Sequence, residues 1–513
     1  MEYCSPMTMQ KLLTAFTVFL VAITIKAQTE GDQLFATDQV VTIELTFTQE
    51  GFWDSLVANY ETASYMLADL DITDQTGTYS FPQIGVRLKG NSSYGHPGNK
   101  KSFKIDFNEY VSGQNYDGLK KLNFSNNFKD PTFLREKIYS DLCLSNDLPA
   151  PRTSYADVYM NGTHWGFYTV IEQIDDQFLD WNMEDDGGNM FKAGDAFDGP
   201  GGEADLVYYG ADQSSYTERY EIENNEDLND WTDLIAFIDF INNTTDAEFE
   251  TGIDDRLETD QYLRSMAMDN LFSNLDAYIN SARNYYIYHH EGTGRWNWIK
   301  WDCNEAFGSY QGGPMGGGLS MTELDLHYVN NSRPLLERIM EIDGMQARFD
   351  DALCYWINGD FSSAKIQEEI DRYYELIKPY VYADENKMYT DIQFENNIYE
   401  DITTGGGPGG GTIFGLMSFM EARLDFVEGA LDCTAVVAID ESSAHDAFFC
   451  RPNPAGQVVW VQTLEPERIT VFDLKGQQVL QAASGWVDIS ALPEGLYILR
   501  SDSGNTTRLS VVR

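Results

Sequence analysis

Basic residues are scarce in this chain. Its 513 residues include 34 Lys and Arg against 82 Asp and Glu, a formal net charge of −48. No basic stripe offsets the acids, which argues against a nucleic-acid partner. The same sign argues against adsorption on anionic lipid. Cysteine is scarce as well: Cys4, Cys143, Cys303, Cys354, Cys433 and Cys450 lie far apart, with no CxxC pair. That pattern fits neither a disulfide scaffold nor a zinc site. One or two bridges can form outside the cytoplasm, with an odd thiol left once Cys4 is removed. After the first 27 residues no apolar run is long enough to cross a membrane. GxSxG and HExxH are both absent, so serine-hydrolase and zincin chemistry fall away.

What is present is globular material, 42% hydrophobic and 13% aromatic, enough for two to four domains. Most of the acids read as a solvated face; some are candidates to hold Ca²⁺ or Mg²⁺. Residues 1–27 read as a secretory signal. Lys11 supplies the positive charge, Leu12 to Ile25 the apolar core, and cleavage is expected after Ala27.

The chain is organised around Asn270 to Gly308. A helix is expected to deliver Asp276. A hairpin follows, NYYIYHH and RWNWIKW, turning at Glu291-Gly292-Thr293-Gly294 and ending at Asp302, Asn304 and Glu305. Acids at the ends of elements joined by a short hairpin can converge on one cleft, where they hold a hard cation and place a base. A carboxylate beside so aromatic a hairpin needs a partner.

Upstream, strands are expected at 40–47, 84–89, 102–107, 154–160 and 165–174, and helices at 52–67 and 132–146. In 102–107, Phe103, Ile105 and Phe107 face one way and Ser102, Lys104 and Asp106 the other. The loop 90–101 is rich in Gly, Ser and Asn, so its N–H groups can cradle phosphate with help from a lysine of the next strand. It is not a Walker A loop, because a strand follows it. Residues 194–226 read as a Gly/Asp-rich surface insertion, a candidate cation site. Helices are expected at 227–242, 259–275, 332–342, 344–357, 362–382 and 412–430. The glycine tracts at 312–318 and 405–411 read as linker loops or a lid. A linker at 432–446 leads to an all-β Ig-like sandwich over 447–513.

Residues 40–430 resemble the CotH kinase family. Arg87-Leu88-Lys89-Gly90-Asn91-Ser92-Ser93 is similar to its RxKGNSS, and Lys100 to Lys104 to its KKSxK. Lys120-Lys121-Leu122-Asn123 and Leu134-Arg135-Glu136 fall where the family has a KL turn and an RE helix. Val158 to Gly162, Gly166-Phe167-Tyr168 and Glu172 to Asp175 resemble VNG…GxY…ExID. Asn274-Leu275-Asp276 and Trp301 to Gly308 resemble NxD and WDxDxxFG, with Asn304 where the family usually has a second Asp. The resemblance implies an α+β, two-lobed atypical protein-kinase-like fold that uses ATP with Mg²⁺ or Mn²⁺. It implies cofactor binding by Arg87, Ser92, Ser93 and Lys104, with Lys104 paired to Glu136. Glu172 would lie at the hinge near adenine and Asp276 would be the base. Asp302 would bind metal, with Asn304 and either Asn280 or Asn284, Asn284 preferred.

Residues 451–513 resemble the type A sorting domain of type IX secretion: Pro452-Asn453-Pro454-Ala455 opens it and Leu492 to Leu499 is similar to LPxGxYxL. This implies Sec export, outer-membrane passage through the type IX machinery, and a secreted or cell-surface location. Three functions compete. The first is transfer of the ATP γ-phosphate to a protein hydroxyl. The second is an inactive surface adhesin on the same fold. The third is a metal-dependent hydrolase with two carboxylates, which leaves the Lys104–Glu136 arrangement unexplained.

Overall fold

Seven strands close into a barrel; the first two alternate buried and more exposed positions, and the last two are buried on both faces over most of their length. They are β1 (Val40–Thr46), β2 (Met66–Thr73), β3 (Thr78–Leu88), β4 (Phe103–Asp106), β5 (Lys121–Ser125), β6 (Thr153–Met160) and β7 (Thr163–Glu172). The order around the barrel is β1-β2-β3-β4-β5-β7-β6. The closing contact, β1 on β6, is the parallel one; closure leaves no open edge. Ile43, Leu70, Val86, Ile105, Leu122 and Val158 fill the interior. The structure is a computed structural model. It describes residues 29–194, 202–310, 319–404, 411–433, 449–451, 458–462, 467–473, 477–493, 495–501 and 506–511. The expected signal segment, the tract 312–318, nearly all of 405–411, most of the linker and the motif at 452–455 lie outside the described residues.

A second, larger core lies under an antiparallel sheet and helices. Its sheet runs β11-β10-β8-β9, from β8 (Met190–Ala193), β9 (Tyr220–Asn224), β10 (Tyr285–His289) and β11 (Trp296–Lys300). The helices include Arg135–Ser145, Thr259–Leu271, Asp343–Ile357, Ser363–Ala383 and Leu416–Ala430. β10 and β11 form the expected hairpin, with Tyr285 opposite Lys300.

Two expectations are corrected here. The helix expected over 52–67 stops at Ala58 and β2 begins at Met66. Met66, Ala68, Leu70 and Ile72 alternate inward, and a period of two cannot stay on a helix. The expected surface insertion is not one where it is described. Ala204, Leu206, Tyr216 and Tyr220 are buried in the second core, and β9 pairs with β8. The tyrosines bury because the chain supplies their hydroxyls with partners, such as Gly210 O at 2.9 Å from Tyr216 Oη.

The chain divides into two compact units at Leu431/Asp432. The second unit holds β14 (Phe449–Arg451), β15 (Val458–Gln462), β16 (Arg468–Asp473), β17 (Gln478–Ala483), β18 (Gly485–Asp488), β19 (Gly495–Ser501) and β20 (Thr506–Val511), after β12 (Ile402–Thr404) and β13 (Gly411–Ile413) of the first. They make sheets β14-β15-β18 and β17-β16-β19-β20. Val459, Val461 and Val487 of one pack with Ile469, Val471 and Leu509 of the other. Among the described residues no helix is long and apolar enough to cross a membrane.

Candidate functional site

The loop after β3 begins with a turn that only glycine fits. Gly90 has φ 93°, and a Cβ there would meet Ser93 Oγ at 2.2 Å. Tyr60 accepts the job of pinning the loop: its hydroxyl donates to Gly90 O at 2.5 Å and its ring stacks on Tyr94 at 3.4 Å. Lys101 Nζ donates to Tyr94 O at 2.6 Å. Lys100 is buried and paired with Asp384. Neither lysine therefore faces a ligand. Ser92 and Ser93 do line a cavity below the loop, of about 100 Å³, together with Lys89, Glu136, Asp276, Asn284, Asp302 and Asn304. That volume suits a phosphate group and an ion rather than a whole nucleotide.

Each wall of the cavity has a local cause. Asp130 accepts the N–H groups of Thr132 and Arg135, starts the helix Arg135–Ser145 and so fixes Glu136 in its first turn. Burial first, then the negative charge of Asp302, raises the Glu136 carboxyl well above its usual range. Its Oε2 is buried without a hydrogen-bond partner. Lys89 sits two residues beyond Arg87 on the outer face of the barrel. Its ammonium donates to Asn123 Oδ1 at 3.1 Å and lies 5.0 Å from the Trp301 ring. Burial brings it down to about 8, against the opposing pull of Asp302 and Glu136.

Asp276 follows the helix Thr259–Leu271 in a turn, not on the helix itself. Arg283 Nε lies 2.9 Å from its Oδ1, and Asn284 Nδ2 donates to Oδ2 at 3.0 Å. Burial, then Glu305, raises its carboxyl well above the ordinary range. Asp302 has φ 53° just past β11 and its side chain is exposed. The expectation of a buried Asp302 is corrected: the left-handed turn swings it out of the core and into the cavity. Phe307 anchors the turn, packing on Phe272 at 5.0 Å. Asn304 donates to Phe128 O at 2.9 Å, and Glu305 pairs with Lys129 at 2.8 Å.

Other expectations fail on geometry. Lys104 does not meet Glu136. It points from the outer face of β4 toward Lys121, Arg87, Lys89 and Glu223, because Phe103 and Ile105 take the inward positions. Arg87 lies over the Tyr65 ring at 5.5 Å, outside the cavity. Glu172 is held by Arg152 and by Trp181 Nε1 at 2.9 Å, so its carboxylate is committed to the fold. Asn280 accepts from Tyr328 Oη at 2.8 Å and is outside the cavity, whereas Asn284 lines it. Sequence reasoning assigned no role to Lys89, Lys129 or Arg283. For Lys89 the signal was its place at the strand end, directly before the Gly90 turn.

Among the described residues no group of three or more His, Cys, Asp or Glu is spaced to hold a metal ion. The donor set still suits a hard divalent cation bound jointly with substrate. Asp302 is open to the cavity, Glu136 has an orphaned buried oxygen, and the two repel. Mg²⁺ is commonly held by one or two carboxylates plus substrate phosphates.

Residues 86–401 match the family described as CotH kinase protein, and residues 451–512 match a secretion system C-terminal sorting domain. The inner spore coat protein H of Bacillus subtilis is 25% identical over 288 residues, 56% of this chain and 75% of that protein. Invasins CotH2 and CotH3 of Rhizopus delemar are 22% and 21% identical over 70% and 74% of this chain. Those two matches cover 62% and 64% of the invasins, less than two thirds of their length. The sorting-domain match points to export, with a cell-surface or secreted destination. With well over half of its length matched by that first family model, the chain belongs to the CotH kinase protein family.

Proposed function

We propose that the chain is an exported phosphotransferase that moves the γ-phosphate of ATP to a protein hydroxyl with a divalent metal ion. The observation that carries this reading is the convergence of Lys89, Glu136, Asp302 and Asp276 on one cavity under a Gly-Asn-Ser-Ser turn. Phosphoryl transfer asks the protein mainly for positioning and charge stabilisation. Lys89 would take the phosphate role first expected of Lys104, because Lys89 shares the cavity with Glu136 and Lys104 does not. Asp302 and Glu136, with the amide oxygens of Asn284 or Asn304, would hold Mg²⁺ or Mn²⁺. The metal would neutralise phosphate charge when bound. Asp276, kept in place by Arg283 and Asn284, would accept the proton of the incoming hydroxyl. Lys89 also replaces Lys104 as the feature a two-carboxylate hydrolase leaves unexplained. The route would be Sec export, then passage through the type IX machinery directed by residues 451–512.

A second reading has its own support. Asn304 offers one amide oxygen where the family pattern has a carboxylate, and two relatives are named invasins. An inactive surface-binding protein on the same fold would account for both. Calorimetric titration of the purified 28–431 fragment with ATP and Mg²⁺ or Mn²⁺, followed by a phosphate-transfer assay, decides. Binding with transfer supports the kinase reading. No binding under either metal removes it and leaves the surface-binding reading.

A further inference from the structure

Another cavity, of about 420 Å³, shares no lining residue with the one at Asp302. β11 runs from one to the other: Asn297, its second residue, lines this cavity, and Asp302, just past its end, lines the first. The volume falls in the range of about 300–1,000 Å³ usual for small-molecule sites. Its apolar wall is held firmly. Leu148 is buried, and Pro149 O accepts the Lys300 N–H at 2.9 Å. Trp181 donates through Nε1 to Glu172 at 2.9 Å and carries the Arg152 guanidinium 4.6 Å from its ring. The polar wall is made of amides, those of Gln261, Asn297 and Asn182. Gln261 Oε1 is buried with no hydrogen-bond partner among the described residues. Turning that amide over would leave a donor unpaired instead. Asn297 is 5% exposed, and its Nδ2 donates to Arg295 O at 3.4 Å, a long bond. A third cavity, beside Lys120, shows the contrast of amides already spent. There Gln177 Nε2 donates to Gly118 O at 2.6 Å and Gln114 Nε2 to Phe107 O at 2.9 Å. A buried polar atom without a partner calls for one, and at a cavity wall a ligand can supply it. The acids that line the cavity narrow the choice. Glu258 and Asp147 repel an anion. Neither calls for a cation, since Glu258 is paired with Arg295 at 3.4 Å and Asp147 is exposed.

We propose that this cavity binds a neutral sugar unit. The C–H face of the sugar packs on Trp181, Leu148 and Pro149, and its hydroxyls bond to the amides of Gln261, Asn297 and Asn182. A hydroxyl both donates and accepts, as an amide does, so a sugar satisfies Gln261 whichever way its amide is turned. An apolar wall with a few convergent polar groups gives such a ligand both its area and its orientation. A free sugar and the end of a glycan chain share this chemistry. The inference is independent of the kinase reading, because the two cavities have no residue in common.

The experiment titrates the intact protein by calorimetry with glucose, galactose, mannose and N-acetylglucosamine, with cellobiose and chitobiose, with the anionic glucuronate and galacturonate, and with the diamine putrescine. At least one neutral sugar should bind saturably, and both anionic sugars should bind more weakly than it does. Gln261→Leu keeps the bulk of the side chain and removes its polar end. It should weaken the tightest neutral sugar about tenfold, the scale of one hydrogen bond. Lys378→Met, outside both cavities, should change nothing. Should Gln261→Leu fail to fold, Asn182→Ala decides by the same criterion. A disaccharide that binds more tightly than its monomer supports a glycan chain as the source, and equal affinity supports a free sugar. Sugar binding that is equal in wild type and Gln261→Leu overturns the proposal. So does the absence of binding by every neutral sugar, and so does tighter binding of putrescine or of an anionic sugar than of any neutral one.

Discussion

Asp276 and Asp302 share one cavity but not one environment. Asp276 is gripped by Arg283 and Asn284, which hold its carboxylate for a proton transfer. Asp302 projects from a left-handed turn beside Glu136, which suits a cation. Asp302→Ala should therefore weaken Mg²⁺-dependent nucleotide binding and abolish transfer. Asp276→Ala should keep much of the nucleotide affinity and lose turnover by about 10²–10⁴-fold, the range for a general base. Paired titration and transfer assays read both. Variants that bind and turn over like wild type would move the site elsewhere. Lys89 adds a pH test. Burial holds its ammonium down to about 8, so the charged form dominates below that pH and the neutral form above it. A bound phosphate favours the charged form and raises the value. Nucleotide binding at pH 8–9 should then take up a proton, and affinity should fall as pH rises past 8. Calorimetry in buffers of different ionisation enthalpy measures the uptake. Lys89→Met should abolish it.

The loop after β3 is tied to the far end of a helix. Lys100, buried between the Phe133 and Tyr168 rings at 4.7 and 5.2 Å, pairs with Asp384 at the C-terminus of Ser363–Ala383. Asp384 also accepts the Phe167 N–H at 3.0 Å. Gly166 makes this possible: at φ 145° a Cβ would lie 2.8 Å from Asp384 Oδ1. Lys100→Met strands a buried carboxylate and should cost about 3–5 kcal/mol. Gly166→Ala should destabilise by roughly 1–3 kcal/mol through the clash and the backbone conformation. Chemical denaturation measures both, and a change under 0.5 kcal/mol in either would mean that the loop and helix are not joined through this pair. Strand alternation made the barrel legible, and the Phe103/Lys104 facing came out as the pattern required. What alternation cannot say is which stretch of the barrel's outer face closes over the cavity. Lys104 and Lys89 both point outward, and only the packing of β3 against Glu136 and Asp302 selects Lys89. The commitment of the Glu172 carboxylate is hidden for a similar reason: its partners Arg152 and Trp181 lie 20 and 9 residues away in sequence, and no local pattern announces them.

At the scale of the whole molecule, chemistry and address occupy separate units. The cavity and every residue assigned to it lie before Leu431, and the sorting match lies wholly after it. The barrel and helical cores are built from residues of the first unit, and the small β core from Val459 to Val511 of the second. The barrel and helical cores draw on no residue after 446, so the first unit should fold without residues 447–513. The formal charge of −48 keeps such a fragment soluble. Deleting residues 447–513 should leave the main unfolding transition within a few degrees of the full chain's, since no core residue of that unit is lost. It should leave metal-dependent nucleotide binding unchanged, because the cavity is intact. Surface delivery should stop, with the truncated protein held in the periplasm. Fractionation with a calorimetric scan tests all three. Loss of the main transition would show that the two units fold as one, and normal surface delivery would show that the address lies before residue 447.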